Sequence, residues 1–211
     1  MKVIILACNK YTWLVPIALH FYRKYWPDNP YQTEIVTETD YIDGPVYYIN
    51  DTSWASRLLN YLNQSKESKF LLIMEEHFIE KSVDTQRVRI AENLCSGNVG
   101  CVRLNAPDKW FESYAIKTDI KGFREYPLDK RYSMSMQTAI WQKRYLFDVL
   151  REKEDIWQTE VDGSVRLKKL KGKWRVLWTE NPIVDYTAGG LMSQGRLRLE
   201  VVKWALGDLI K

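Results

Sequence analysis

The sequence predicts an α/β fold, a single domain with a mixed, mostly parallel central sheet flanked by helices, and three observations predict it. Short all-apolar runs rich in branched residues, such as Val3-Ile4-Ile5-Leu6-Ala7 and Phe70-Leu71-Leu72-Ile73-Met74, read as strands buried on both faces. Through the first hundred residues such runs alternate with segments whose apolar residues recur at three- and four-residue steps, the pattern of a parallel sheet covered by helices. The chain is long enough for a full core, at 211 residues with 45% hydrophobic and 27% charged residues.

Taken in order, residues 3–7 run into the polar Asn9 and Lys10, a strand entering a loop. Between positions 13 and 26, Leu14, Ile17, Ala18, Phe21, Tyr22 and Tyr25 share one helical face, with Pro16 in the first turn and Pro27 past the end. Glu34-Ile35-Val36-Thr37 and Val46-Tyr47-Tyr48-Ile49 read as strands separated by Asp43-Gly44-Pro45. Asp51, Thr52 and Ser53 are N-cap candidates for a helix carrying Trp54, Leu58, Leu59 and Leu62. Residues 69–74 form another buried strand, 83–94 a helix and 99–102 a further strand. Beyond them the pattern predicts a strand over 110–117, a helix over 135–151, a hairpin over 165–178 and a closing helix over 197–206.

Charge and cysteine usage narrow the function classes. The 31 basic and 27 acidic residues leave a net charge of +4, which permits an anionic ligand and does not mark a nucleic-acid binder. The densest basic run, residues 166–175, reads as a hairpin turning near Gly172 with its lysines outward, or as an attractor of phosphates. Cys8, Cys95 and Cys101 are three in number and form no CxxC, so neither a disulfide framework nor a cysteine zinc site is expected, and a reducing compartment is. The apolar run at 3–7 is shorter than the roughly 7–15 residues of a signal segment, and no run reaches the ~18 of a membrane span, so a soluble cytoplasmic protein is expected. P-loop, dinucleotide-fingerprint and serine-hydrolase motifs are missing, and two histidines, His20 and His77, cannot build a three-histidine zinc centre.

The segment richest in chemistry is the buried strand that ends directly in Glu75-Glu76-His77. The carboxyl ends of strands in an open α/β sheet are where ligands sit. Two carboxylates and an imidazole suit Mn²⁺, or Mg²⁺ with more reluctance, bridging to a diphosphate. The plainer alternative is that these charges only terminate a strand. Arg57, one turn into the helix that starts near Ser53, lies close enough to a strand end to approach a diphosphate.

This order of elements, with a polar loop at Cys8-Asn9-Lys10 and a strand ending in an acidic cluster about seventy residues on, resembles GT-A-type glycosyltransferases, including chlorella-virus-encoded glycosyltransferase domains. A second segment, Ser135-Met136-Gln137-Thr138-Ala139-Ile140-Trp141 followed by Ile156-Trp157-Gln158-Thr159-Glu160, is similar to polysaccharide-building members in which a Trp-x-x-Glu turn lies beside the acceptor. The acidic motif departs from the family's DxD pattern in having Glu75-Glu76-His77. The resemblance implies a nucleotide-binding half at 1–105 and an acceptor-side half at 106–211. It implies Mn²⁺ or Mg²⁺ held by Glu76 and His77, with Glu75 reaching ribose or metal-bound water. It implies base and ribose contacts from Ala7, Cys8, Asn9, Thr12 and Glu38, and diphosphate contacts from Arg57 and from Arg196 in a glycine-containing loop at 185–196.

By the same resemblance Glu160 is the general base for an inverting transfer, with Asp155 the competing carboxylate and Asp162 a third. The implied activity is metal-dependent, hexosyltransferase-type transfer from a UDP-sugar donor to a glycan, glycoprotein or other hydroxyl acceptor. A virus-encoded member would work in the host cytosol. A nucleotidyltransferase on a similar sheet is the nearest alternative, and a noncatalytic nucleotide- or nucleic-acid-binding module the more distant one.

Overall fold

In the computed structural model, which describes residues 1–38, 46–49, 53–105, 112–186, 191–193 and 196–210, with the side chains at 192, 193, 196 and 197 left aside, the first apolar run forms β1 (Lys2–Leu6). A 3-10 helix (Asn9–Leu14) leads to α1 (Val15–Tyr25), with Pro16 in its first turn as expected. There follow β2 (Thr33–Thr37), β3 (Val46–Tyr48), α2 (Trp54–Gln64), β4 (Lys69–Met74), α3 (Thr85–Leu94) and β5 (Val99–Arg103). The rest comprises β6 (Ile116–Lys117), β7 (Phe123–Tyr126), β8 (Ala139–Gln142), α4 (Lys143–Val149), α5 (Ile156–Lys169), β9 (Arg175–Thr179), the short pair β10 (Met192–Ser193) and β11 (Arg196–Leu197), and α6 (Leu199–Leu209).

The described strands build a nine-stranded sheet in the order β3-β2-β1-β4-β8-β5-β9-β7-β6. With β1 as reference, β2, β3, β4, β5, β9 and β6 run with it, and β8 and β7 against it. The sheet is mixed and mostly parallel, as predicted. Side-chain alternation divides the core into two layers. Ile4, Leu6, Phe70, Leu72 and Trp141 face α2, α4 and α5, joining Leu58, Leu62, Tyr145, Leu146 and Leu167. Val3, Leu71, Ile73, Val102 and Ile140 face the other way, joining Tyr22 and Trp26 at α1 and Val88 and Ala91 of α3. Each of these large side chains contributes about 1.5–3 kcal/mol by leaving water. The last helix closes over α1, where Trp204 stacks on Phe21 at 4.6 Å between centroids.

Two predicted elements are corrected. The helix expected over 135–151 is β8 followed by α4. All four β8 residues are buried between β4 and β5, and a run apolar on every side carries no period to tell strand from helix. The hairpin expected over 165–178 is the second half of α5, a turn at Gly172 (φ +93°) and then β9. The helix begins earlier, at a capping box in which Asp155 accepts from the Gln158 amide while the Gln158 side chain accepts from the Asp155 amide. Its Gly163 is dictated by packing, since a Cβ there would lie 2.9 Å from Met134 Cγ. The Trp-x-x-Glu segment is thus the first turn and a half of a helix rather than a loop. Of the strand expected over 110–117, only Ile116–Lys117 is paired among the described residues. The turn at 43–45 and the cap candidates Asp51 and Thr52 lie outside them, and Ser53 is the N-cap of α2, accepting from Ser56 N at 3.3 Å.

Register sets the functional edge. Leu6 pairs with Val36 and with Met74, so the loops after β1, β2 and β4 emerge level with one another at the carboxyl end of the sheet. Because β8 is antiparallel, the segment before it, ending at Thr138, reaches that same edge.

Candidate functional site

The loop after β1 is fastened by its neighbours' carboxylates. Ala7 is buried and continues the ladder, its amide 2.9 Å from Val36 O. Cys8 N donates to Glu75 Oε1 at 3.4 Å, and Thr12 Oγ1 and Tyr11 N both donate to Cys8 O, at 2.8 and 2.9 Å, which winds the chain into the 3-10 turn. Asn9 N donates to Glu38 Oε1 at 2.7 Å, while the other oxygen of Glu38 accepts from Arg57. Glu38 therefore ties the β1 loop, the end of β2 and the first turn of α2 together. Arg57 is 1% exposed, so this pair neutralises a guanidinium that burial would otherwise penalise.

Beside this knot opens a cleft of about 810 Å³, lined by Cys8, by Ser53, Trp54, Ser56, Arg57 and Asn60 of α2 and its cap, and by Glu152, Lys153, Asp155, Ile156 and Gln158 from the start of α5. Its volume lies in the range of small-molecule sites, roughly 300–1,000 Å³. The second wall is stapled to the first. Ser53 Oγ and Ala55 N both donate to Glu154 O at 3.1 Å, and Lys153 N donates to Ser56 Oγ at 2.9 Å. Glu154 is itself held by both guanidinium nitrogens of Arg166, at 2.7 and 2.6 Å. Sequence reasoning missed the contribution of Trp54, Ser56, Asn60, Glu152, Lys153, Ile156 and Gln158. The D-x-x-Q capping signature at Asp155 was the signal that α5 starts there.

The acidic cluster is less uniform than its sequence. Glu75 is buried beneath Cys8; burial first, and the charge of Glu76 second, push its pKa from 4.5 to about 7. Its Oε2 is buried without a hydrogen-bond partner among the described residues. Glu76 is half-buried, and its carbonyl accepts from Leu191 N at 3.0 Å. His77 is turned into the core, its ring stacked on Tyr186 at 4.1 Å and its Nδ1 3.2 Å from Thr138 Oγ1. Burial lowers its pKa to about 3, so the imidazole is neutral. Among the described residues no three His, Cys, Asp or Glu side chains converge so as to hold a metal ion, so the expected cation site at Glu76 and His77 offers at most two protein donors.

The two candidate bases separate. Asp155 lines the cleft, its Oδ1 accepting from Gln158 N at 2.7 Å. Glu160 lies outside the cleft lining; its Oε1 accepts from Met136 N at 2.7 Å and Ser135 Oγ at 3.1 Å, and burial raises its pKa. It fixes the segment entering β8. Close by, the fully buried Arg103 lies over the rings of Tyr126 and Trp178 at 5.1 and 5.0 Å, donating to the carbonyls of Tyr132 and Ser133 at 2.7 and 2.8 Å. Arg196 sits on β11 with its side chain outside the described set, as are Gly189 and Gly190. No described helix is long and apolar enough to cross a membrane.

No family model matches the sequence, and no curated protein matches it either. Solved structures do match in fold. The S. aureus TarS fragment 1–349 superposes over 87% of this chain and 59% of its own with a TM-score of 0.56 at 14% identity. TarS 1–349 also matches in its complex with UDP. A CMP:2-keto-3-deoxy-manno-octonic acid synthetase complexed with CTP superposes over 98% of both chains with a TM-score of 0.59 at 11% identity. A UDP-glucose pyrophosphorylase complexed with UDP-glucose covers 86% of this chain and 90% of its own, with a TM-score of 0.51 at 11% identity. At these identities the likeness is one of fold, and this chain spans about three fifths of TarS 1–349.

Proposed function

We propose that this protein is a transferase that binds a nucleotide-activated sugar in the cleft between α2 and α5, and that its reaction is glycosyl transfer from a UDP-sugar to a hydroxyl of a glycan or glycoprotein acceptor. The observation that carries the reading is the cleft itself, at the carboxyl edge of a mostly parallel sheet, walled by residues from both halves of the chain. That matching folds are solved with UDP, CTP and UDP-glucose supports a nucleotide as occupant.

On this reading the 1–105 half holds the nucleotide, with the Cys8-Asn9 loop set by Glu75 and Glu38, and the 106–211 half faces the acceptor. Asp155 is the acceptor-side carboxylate, in preference to Glu160, because it lines the cleft. Its Oδ1 is held by the Gln158 amide, which fixes the carboxylate's plane and leaves Oδ2 to take the acceptor proton. As that proton moves, the acceptor oxygen bonds to the anomeric carbon, the bond from that carbon to the phosphate oxygen breaks, and the nucleoside diphosphate leaves with the electron pair. A divalent cation, if held by Glu76 and His77, would offset the charge on the departing diphosphate, and the diphosphate itself would have to complete its shell, since among the described residues no third His, Cys, Asp or Glu joins them.

Calorimetric titration of UDP, GDP and CMP, each with and without Mn²⁺, tests the occupant, and selective binding of UDP is expected. Asp155→Asn should then abolish transfer from UDP-sugars while keeping UDP affinity within about twofold, because the amide preserves the helix cap. Absence of nucleotide binding under every condition refutes the reading. Binding of oligonucleotides that weakens steeply with salt would replace it with the nucleic-acid module. Nucleotidyl transfer is kept as a second reading because the synthetase complexed with CTP matches end to end, over 98% of both chains. It predicts pyrophosphate from a free triphosphate, where glycosyl transfer predicts UDP from a UDP-sugar.

A further inference from the structure

Among the described residues two cationic side chains line the cleft, and they are not equivalent. Arg57 is buried and paired with Glu38. Lys153 is exposed, and among the described residues no carboxylate lies within ion-pair distance of it. Its backbone sits at φ +65°, in the left-handed region where any residue with a Cβ is strained and glycine is not. The strain is over-determined from outside. Lys153 N is held by Ser56 Oγ, and the next residue's carbonyl takes hydrogen bonds from Ser53 and Ala55 while its carboxylate is clamped by Arg166. A side chain is thus kept where the chain would be easier to build without one, and it stands in the cleft.

Resting on the nucleotide reading of the cleft, we infer that Lys153 is the residue that binds the phosphates of the nucleotide, a contact supplied by the acceptor-side half to a ligand seated on the other. The starts of α2 and α5 meet on either side of it, so their amide ends add to the positive potential there. Of the two acids on the same wall, Asp155 gives Oδ1 to its helix cap and keeps Oδ2 for the acceptor, and Glu152 is exposed to solvent. An ammonium on a flexible stem suits a phosphate that must also be released, since it binds as a point charge rather than as a rigid fork.

The test uses Lys153→Gly, which removes the charge at a backbone position that glycine prefers, and Lys153→Arg, which keeps the charge. Affinities for UDP and for uridine are measured by calorimetry, with thermal unfolding alongside. UDP is expected to bind Lys153→Gly at least about tenfold more weakly, with uridine unchanged, Tm not lowered and Lys153→Arg close to the parent. Unchanged UDP affinity in Lys153→Gly overturns the inference, and so does an equal loss for UDP and uridine, which marks a structural role. If the parent protein binds no nucleotide, the reading of the cleft has failed, and pyrophosphate decides on Lys153 separately. Pyrophosphate held by the parent and lost tenfold in Lys153→Gly retains the anion site, and equal or no binding overturns it.

Discussion

Replacing Glu75 by glutamine is expected to stabilise the protein at high pH and to leave it little changed in mild acid. The carboxyl is 3% exposed, with Oε2 buried and unpartnered among the described residues and Oε1 accepting a long bond from Cys8 N. A carboxyl raised from 4.5 to about 7 on folding is still protonated in the native state over a range where the unfolded chain has already lost the proton. The associated stability is fully present below about pH 4.5 and is lost as pH rises through about 7. Between those two values, at about 1.36 kcal/mol per decade, ionised Glu75 costs the fold about 3 kcal/mol. Glutamine copies the shape of the protonated acid, keeps a carbonyl for Cys8 N and does not titrate. Urea unfolding of parent and Glu75→Gln at pH 5 and pH 8 should show the variant's advantage growing by about 2–3 kcal/mol between them. His77 acts on both proteins alike and cancels in that difference. An advantage of the same size at both pH values refutes the reasoning, because it shows that Glu75 does not ionise with the cost its burial demands.

Three further outcomes follow from single contacts. His77, depressed from 6.5 to about 3 by burial, contributes stability that is present above about pH 6.5 and lost as pH falls towards 3, about 2 kcal/mol by pH 5; an imidazolium forming near pH 6.5 in its NMR titration contradicts this. Glu38→Ala leaves the Arg57 guanidinium buried and drops the Asn9 amide, so a loss of about 3–5 kcal/mol is expected in chemical unfolding, and a loss below 1 kcal/mol shows that the pair matters little. Gly100→Ala puts a Cβ 2.0 Å from Tyr145 Cδ2 at the register shift in β5, and should cost about 3 kcal/mol or more; calorimetric Tm within a degree of the parent would show that Tyr145 yields freely.

The first half of the molecule was legible because its elements are bounded by their own chemistry. β4 occupies the residues its apolar run marked, and α2 starts at Ser53, one of three cap candidates. The second half was harder for a physical reason. Residues 139–142 are buried on every side, so nothing in their order distinguishes a strand from a helix until β4 and β5 are known to leave a gap between them. In the same way Val165 and Leu167 fit an alternating strand while Leu167 and Leu170 fit a helical face, and only the capping box ten residues before Val165 favours the helix. β7 was missed altogether, since Phe123-Arg124-Glu125-Tyr126 is short and half charged, and its charges are paired with Arg175 and Glu180 from elsewhere in the chain. Of the site residues, Cys8, Asn9, Glu38, Arg57 and Glu75 come together at the β1 loop, whereas His77 and Glu160 lie outside the cleft lining and contact the segment before β8.

That segment shows how the fold couples its two halves. Because β8 runs against its neighbours, the chain must enter it at the carboxyl edge of the sheet, and there His77 meets Thr138 while Tyr186 accepts from the Thr138 amide at 3.3 Å. From the other side Glu160 takes the Met136 amide, so the entry to β8 is fixed to β4, to α5 and to the strand-like segment at Tyr186. α5 is in turn bound to α2 through Glu154 and Ser56. The Glu160 carboxylate and the His77 imidazole thus fix the entry to β8 from two sides, while the direct contacts of Glu154 and Ser56 hold the start of α5 against α2 across the cleft. If Asp155 and Lys153 act as proposed, Glu160→Gln should weaken UDP binding in a calorimetric titration although Glu160 lies outside the cleft lining, and unchanged affinity would show that the two sites are independent.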